Sequence, residues 1–254
     1  MKILFYITFS FFTVFYSEKT LSESLSIADV NRIVGQAKGE ASALGINNAV
    51  IAISDRVGNI LAVYAMDPDD IPNITITSGR GIAIGNGLEG LSLPITPLAA
   101  ISKAITGAYL SSSGNAFTTR TASQIVQEFF NPGEKGQPAG PLFGVQFSQL
   151  ACSDLMRYGE NIGIGPRRSP LGLSADPGGL PLYKNGKVVG GVGIISDGIY
   201  GLDLNVGDYD RNRDEIISIA AQRNFEPPEE IKGYRITVEG KNFRYTDVNE
   251  RFLM

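Results

Sequence analysis

Residues whose side chains can do chemistry gather at three places along the 254-residue chain. Lys103, Thr106 and Tyr109 follow one another three residues apart, which on a helix sets them along one edge and within reach of one site. The phenol of Tyr109 could stack on a ring or ligate ferric iron as an oxygen donor. Arg167 and Arg168, in a stretch rich in glycine and proline, carry the planar forks that grip a carboxylate. Asp203, Asp208 and Asp210 form an acidic run with the oxygen ligands a hard cation takes, but without EF-hand spacing or its closing glutamate. Each set also has a plainer reading: a snorkelling lysine at the edge of an amphipathic helix, a solvated loop, and a surface run that favours solubility.

What the chain lacks narrows the chemistry further. There is no histidine, so the usual general base, the commonest zinc ligand and the usual haem ligand are all missing. A Ser-His-Asp arrangement is impossible, and sequence alone cannot bring two carboxylates together in space. The single cysteine, Cys152, can form no disulfide within the chain and no cysteine-based metal cluster; it reads as a buried small hydrophobe. A net charge of −4 argues against nucleic acid as a partner. Gly79, Gly81 and Gly85 echo a dinucleotide fingerprint, but the spacing is wrong and no βαβ unit surrounds them. The Asn73-Ile74-Thr75 sequon has meaning only in a glycosylating host.

The elements that must position these residues can be read in order. Lys2 followed by an apolar run over residues 3–16 is too short for a bilayer span and suits an export signal over residues 1–17, cleaved near Ser17. An uncleaved anchor is the alternative. Ser26 with Asp29 makes a short-armed capping box, and apolar residues from Ile27 to Leu44 recur at helical spacing up to Gly45. Residues 48–54 and 59–66 read as two strands around an Asp55-Arg56-Val57-Gly58 loop. Residues 67–96 read as a long loop with a short strand at 74–77. Thr96-Pro97 opens a helix, with Thr96 as its cap. A second helix is expected over 119–130, then loops through 131–178 around a short helix at 147–157. Asn185-Gly186 is the strongest hairpin signal in the chain, joining a strand at 180–184 to one at 187–196. Gly190, Gly191 and Gly193 interrupt that second strand, so a helix, a neighbouring subunit or a flat ligand must come close to its backbone. A helix over 209–223 and a terminal hairpin, 234–238 with 242–246, complete the reading.

Several of these segments, in this order, resemble the GlcG/HbpS family of haem-binding proteins, to which haem degradation is also ascribed. The resemblance rests on Leu25-Ser26-Ile27-Ala28-Asp29-Val30, on Val50-Ile51-Ala52-Ile53-Ser54-Asp55 with Gly58-Asn59, and on Ser102-Lys103-Ala104-Ile105-Thr106. It continues through Gly178-Gly179-Leu180-Pro181-Leu182, Asn185-Gly186 and Val188-Val189-Gly190-Gly191-Val192-Gly193, and ends with Asp214-Glu215 and Ala220-Ala221. It covers about half of the chain beyond the leader, in separated blocks. It implies a profilin-like α/β (α+β) fold: an antiparallel sheet of about five strands with helices packed on it, and a tendency to oligomerise. It also implies haem as the ligand to test first, with Arg167 and Arg168 able to meet its propionates. The loops at 67–96 and 131–178 and the C-terminal extension 231–254 exceed the family pattern, and no histidine stands where a family member would use one on iron.

The resulting expectation is one domain over residues 18–254, working in the periplasm or outside the cell as a homo-oligomer. It would bind haem or a similar small cofactor for storage or sensing, through Lys103, Thr106, Tyr109, Arg167 and Arg168. An enzyme that breaks down haem or acts on a small carboxylate is the second reading, and an oligomeric scaffold without a ligand the third. No nucleic acid and no stable membrane span enter any of them.

Overall fold

The hairpin around Asn185-Gly186 forms as the sequence predicts. In this computed structural model Asn185 and Gly186 both take positive φ, 47° and 75°, the geometry of a two-residue turn whose twist matches its strands. The structure describes residues 23–77, 90–130, 136–143, 145, 147–148, 171–203 and 205–248. The leader expected at 1–17, the glycines at 79, 81 and 85, Cys152, most of the helix expected at 147–157, Arg167 and Arg168 lie outside the described residues.

Strands β1 (Val50–Asp55), β2 (Ile60–Ala65), β5 (Gly179–Lys184) and β6 (Lys187–Ile195) make the main sheet, in the order β2-β1-β6-β5, antiparallel throughout. Four strands, where about five were expected, form this sheet. Alternate residues of each strand feed two apolar layers. Ile51, Ile53, Leu180, Leu182, Val192 and Ile194 pack against helices α1 (Ile27–Ala43) and α4 (Arg213–Gln222). Val50, Ala52 and Ile195 face α2 (Thr96–Tyr109) on the other side. Helix, sheet and helix thus form three layers, and among the described helices α2 lies against one face of the sheet's centre.

That arrangement explains the glycines of β6. A Cβ on Gly191 would lie 2.0 Å from the Ala104 carbonyl oxygen, and one on Gly193 2.1 Å from that of Ala100. Gly107 of α2 returns the fit, with its own missing Cβ 2.7 Å from the Leu180 backbone. Of the three explanations open to the sequence, a helix of the same chain is the correct one at Gly191 and Gly193. Neither a ligand nor a neighbouring subunit is needed there.

The remaining elements refine the sequence reading. Ser26 and Asp29 form the reciprocal capping box at the start of α1. Thr96 is not the cap of α2; Ile95 holds that position without a side-chain bond, and the Thr96 hydroxyl instead donates to the Pro72 carbonyl. Helix α3 (Thr119–Ile125) stops five residues earlier than expected, and α4 starts at Arg213 under an Asn212 cap rather than at Tyr209. Within the loop region, β3 (Ile74–Ile76) appears as expected and joins β4 (Ser92–Leu93) and β7 (Ile199–Tyr200) in a second sheet. The terminal hairpin is β8 (Thr237–Val238) with β9 (Lys241–Asn242), shorter than predicted because Gly233–Arg235 winds into a 3-10 turn. No described helix is long and apolar enough to cross a membrane.

Candidate functional site

Helix α2 carries the three residues that spacing placed on one edge, and the structure separates them. Lys103 and Thr106 are fully buried, whereas Tyr109 is 44% exposed. Thr106 donates from its hydroxyl to the Ser102 carbonyl and accepts from the Ser174 amide, at 2.7 and 2.8 Å. It ties the helix to the loop before β5 and faces no opening, which corrects its place in the expected site.

Lys103 is the centre of a sealed cluster. Its Nζ lies 2.5 Å from Asp176 Oδ2, and 2.7 Å from Asp214 Oδ2 and from the carbonyls of Pro177 and Ile194. Four oxygens therefore share three N–H donors. The Pro-Gly-Gly turn aims two of them: Gly178 sits at φ 111°, and a Cβ there would meet Asp214 Cβ at 2.6 Å. The remaining carboxylate oxygens are also held, Asp176 Oδ1 by the Gly201 amide and Asp214 Oδ1 by the amide and hydroxyl of Ser196. Burial alone would lower the ammonium's pKa, but Asp176 and Asp214 outweigh it and hold it above its ordinary value. Burial pushes Asp176 up to about 7 and Asp214 up to about 6, against the pull of Lys103. A lysine so enclosed cannot reach a ligand, so Lys103 is a structural cation and not the cofactor anchor expected of it.

A second cluster went unseen in the sequence. Arg120 of α3 is buried and pairs with Glu215 through Nε and Nη2, at 3.2 and 3.4 Å. Its Nη1 meets Asp210, Asp203 and Asp247 at 2.9, 3.0 and 3.2 Å. Asp203, Asp208 and Asp210 do gather, with carboxylate oxygens within 4.8 Å of one another, and the guanidinium of Arg120 is the cation beside two of them. Adjacent residues of α4 thus serve different clusters, Asp214 that of Lys103 and Glu215 that of Arg120. The sequence offered only a general signal, two carboxylates in a first helical turn.

Tyr109 remains where a ligand could reach it. A cleft of about 420 Å³ opens between the β1–β2 turn, the end of α2 and the start of β6. Arg56, Tyr109, Val188 and the run Ser111, Ser112 and Ser113 line it. Arg56 is exposed and pairs with no described carboxylate. The Tyr109 hydroxyl donates to the Val57 carbonyl at 3.0 Å, and a Cβ on Gly58 would sit 2.4 Å from that hydroxyl oxygen. Gly58, at φ 82°, is the residue type the contact allows. The cleft thus offers an exposed guanidinium, three serine positions and an aromatic ring. Such groups can meet a small molecule that is both flat and anionic. The cleft does not fit iron ligation, because the one phenol oxygen is closed in by the turn and the chain has no histidine. Arg56 and the serines escaped the sequence reading, since nothing local shows that residues 56 and 111–113 meet.

Among solved structures, the chain is similar to PduOC in complex with haem, at 17% identity, TM-score 0.45, over 79% of this chain and 94% of that one. It is also similar to ORFY of Klebsiella pneumoniae, at 17% identity, TM-score 0.44, over 82% and 94%. HbpS matches at 16% identity, TM-score 0.43, over 82% and 95%. No protein-family model matches this chain, and no curated protein matches it.

Proposed function

We propose that this chain is a small-ligand-binding protein, exported and self-associating, that takes a flat anionic ligand in the cleft beside Tyr109, with haem the first of that class. The observation that carries the reading is Arg56, exposed and without a carboxylate partner among the described residues, at the mouth of a cleft whose wall is an aromatic ring. Arg56 grips a carboxylate of the ligand while Tyr109 and Val188 lie along its ring. Among the described residues of the cleft none is placed to ligate iron, so the role proposed is holding the ligand, as in storage or sensing.

A haemin titration of the purified chain tests this. A saturable shift of the Soret band is expected, and the band should survive a reductant added under air. Arg56→Ala should weaken binding about tenfold, as the loss of a charge-assisted bond does. Thr106→Ala should leave binding unchanged, since Thr106 is sealed behind the helix. Absence of any shift at about 50 μM haemin removes haem from the reading. Export is tested separately, by fractionating cells and sequencing the N-terminus of the product.

A further inference from the structure

A lysine sealed from any ligand is still in contact with its own neighbours. Lys103 comes from α2, Asp176 from the loop before β5 and Asp214 from the first turn of α4, so three parts of the chain bring an amine and two carboxyl groups to one point. The side chains of Lys103 and Asp214 are 0% exposed and that of Asp176 is 6% exposed. In water an ammonium and a carboxylate do not condense, because both stay charged and solvated. Burial favours their neutral forms, and the fold holds Nζ 2.5 Å from Asp176 Oδ2.

We propose that Lys103 and Asp176 join in an isopeptide bond within the folded chain, with Asp214 carrying the protons and one water leaving. The contacts give the two carboxyls different roles. Asp214 Oδ1 accepts from both the amide and the hydroxyl of Ser196, at 2.7 and 2.6 Å, which favours its charged form and makes it the base. Asp176 Oδ1 accepts from the Gly201 amide at 2.8 Å, and that N–H sits where the oxyanion of a tetrahedral intermediate forms. Asp197, half-buried nearby, adds to the negative charge that draws a proton in.

The reaction starts once Asp176 has taken up a proton, which leaves the ammonium and the Asp214 carboxylate as the charges of the three groups. Nζ passes a proton to Asp214 Oδ2, 2.7 Å away, and all three are then neutral. The two hydrogens left on the amine stay on the carbonyls of Pro177 and Ile194, both at 2.7 Å, so its lone pair is left for Asp176. Nζ attacks Asp176 Cγ, and the carbonyl electron pair moves onto Oδ1 under the Gly201 N–H. Asp214 then protonates the Oδ2 hydroxyl, the C–O bond breaks and water leaves, while Nζ returns a proton to the Asp214 carboxylate. An amide and a neutral carboxyl thus replace two buried charges. The ion cluster is the starting state, so freshly refolded chain carries the ions and linked chain accumulates with time. In the linked chain the run between residues 103 and 176 stays a closed ring even when unfolded.

Intact mass spectrometry of the purified chain, kept folded near neutral pH, tests this alongside Lys103→Arg and Asp214→Asn. The wild type should become lighter by one water, and its tryptic digest should hold a species uncut at Lys103 and joined to the peptide that contains Asp176. A succinimide at Asp176 cannot account for the loss, because Pro177 has no amide hydrogen to give up. Lys103→Arg should keep its full mass, and Asp214→Asn should link about a hundredfold more slowly, each with the circular dichroism spectrum of the wild type. The wild-type digest decides even where a variant does not fold. A wild-type mass unchanged after days overturns the proposal, as does a lost water that maps to Asp197-Gly198 or a link from Lys103 to Asp214. Linking of Asp214→Asn at the wild-type rate overturns the part given to Asp214. None of these outcomes touches the ligand reading, because Lys103 does not line the cleft at Tyr109.

Discussion

Lys103 and Arg120 are both cations deprived of water, yet their surroundings differ in one respect. Around Lys103 everything is sealed: the ammonium and Asp214 are fully buried and Asp176 nearly so. Around Arg120 the deep partners are Glu215, Asp203 and Asp247, but Asp210 is 47% exposed and joins the cluster to solvent. Carboxylates outnumber the central cation in both. A sealed cluster can relieve that excess only by taking up a proton, whereas an open one can also turn a carboxylate outward. The first should therefore respond sharply to mutation and pH, and the second more softly.

The largest effect is expected from Lys103→Met, which leaves Asp176 and Asp214 buried without a cation. Breaking a buried ion pair from one side costs about 3–5 kcal/mol, and the upper part of that range is expected in urea unfolding. Arg120→Met should cost less, about 3 kcal/mol, because Asp210 can move into water. If the two losses are equal, exposure of Asp210 is irrelevant and the comparison fails.

pH separates the clusters next. Burial raises the Asp176 carboxyl from its ordinary 3.8 to about 7. A carboxyl raised on folding contributes stability below about pH 4 and loses it as pH climbs through its folded value. Stability attributable to Asp176 should thus fall between pH 4 and about 7. Asp176→Asn should flatten that part of the profile relative to wild type, measured as the difference in urea midpoint at each pH. A difference that does not vary with pH would show that Asp176 is not the group that takes up the proton. The smallest change is reserved for Asp210→Asn, about 0–1 kcal/mol as for other half-exposed pairs. A loss above 2 kcal/mol would show that this side of the Arg120 cluster is as closed as the other.

How much of this could be read from the sequence divides along the range of the interactions. Asn185-Gly186 and the Ser26 capping box are local, and they form as read because neighbouring residues supply all the chemistry. Helix α2 was misjudged on a point where local spacing is silent. Residues three apart share a helix edge, but whether that edge meets solvent depends on what covers it. A clue was present in the small residues Ala99, Ala100, Ser102, Ala104, Gly107 and Ala108, all buried, which mark a helix enclosed on more than one side. Asp214 and Glu215 illustrate the harder limit. Their partners Lys103 and Arg120 belong to other helices, and no local pattern assigns two adjacent carboxylates to different cations. The cleft is of the same kind, since Arg56 and Ser111 meet only through the fold.

The close seating of α2 on Gly191 and Gly193 also bears on the order in which the chain can assemble. Between Ser54 of β1 and its partner Gly191 of β6 lies more than half the chain. Before β6 emerges during synthesis, β1 has only β2 beside it, and α2 has no surface of the right shape to rest on. The hairpin of β5 and β6, closed by a turn that needs no distant help, is the piece that can form early and then receive both. Early contacts should therefore gather at residues 179–195. A side chain added at Gly191 would then slow folding as well as weaken the native state, since it spoils the seat on which the late-arriving helix docks.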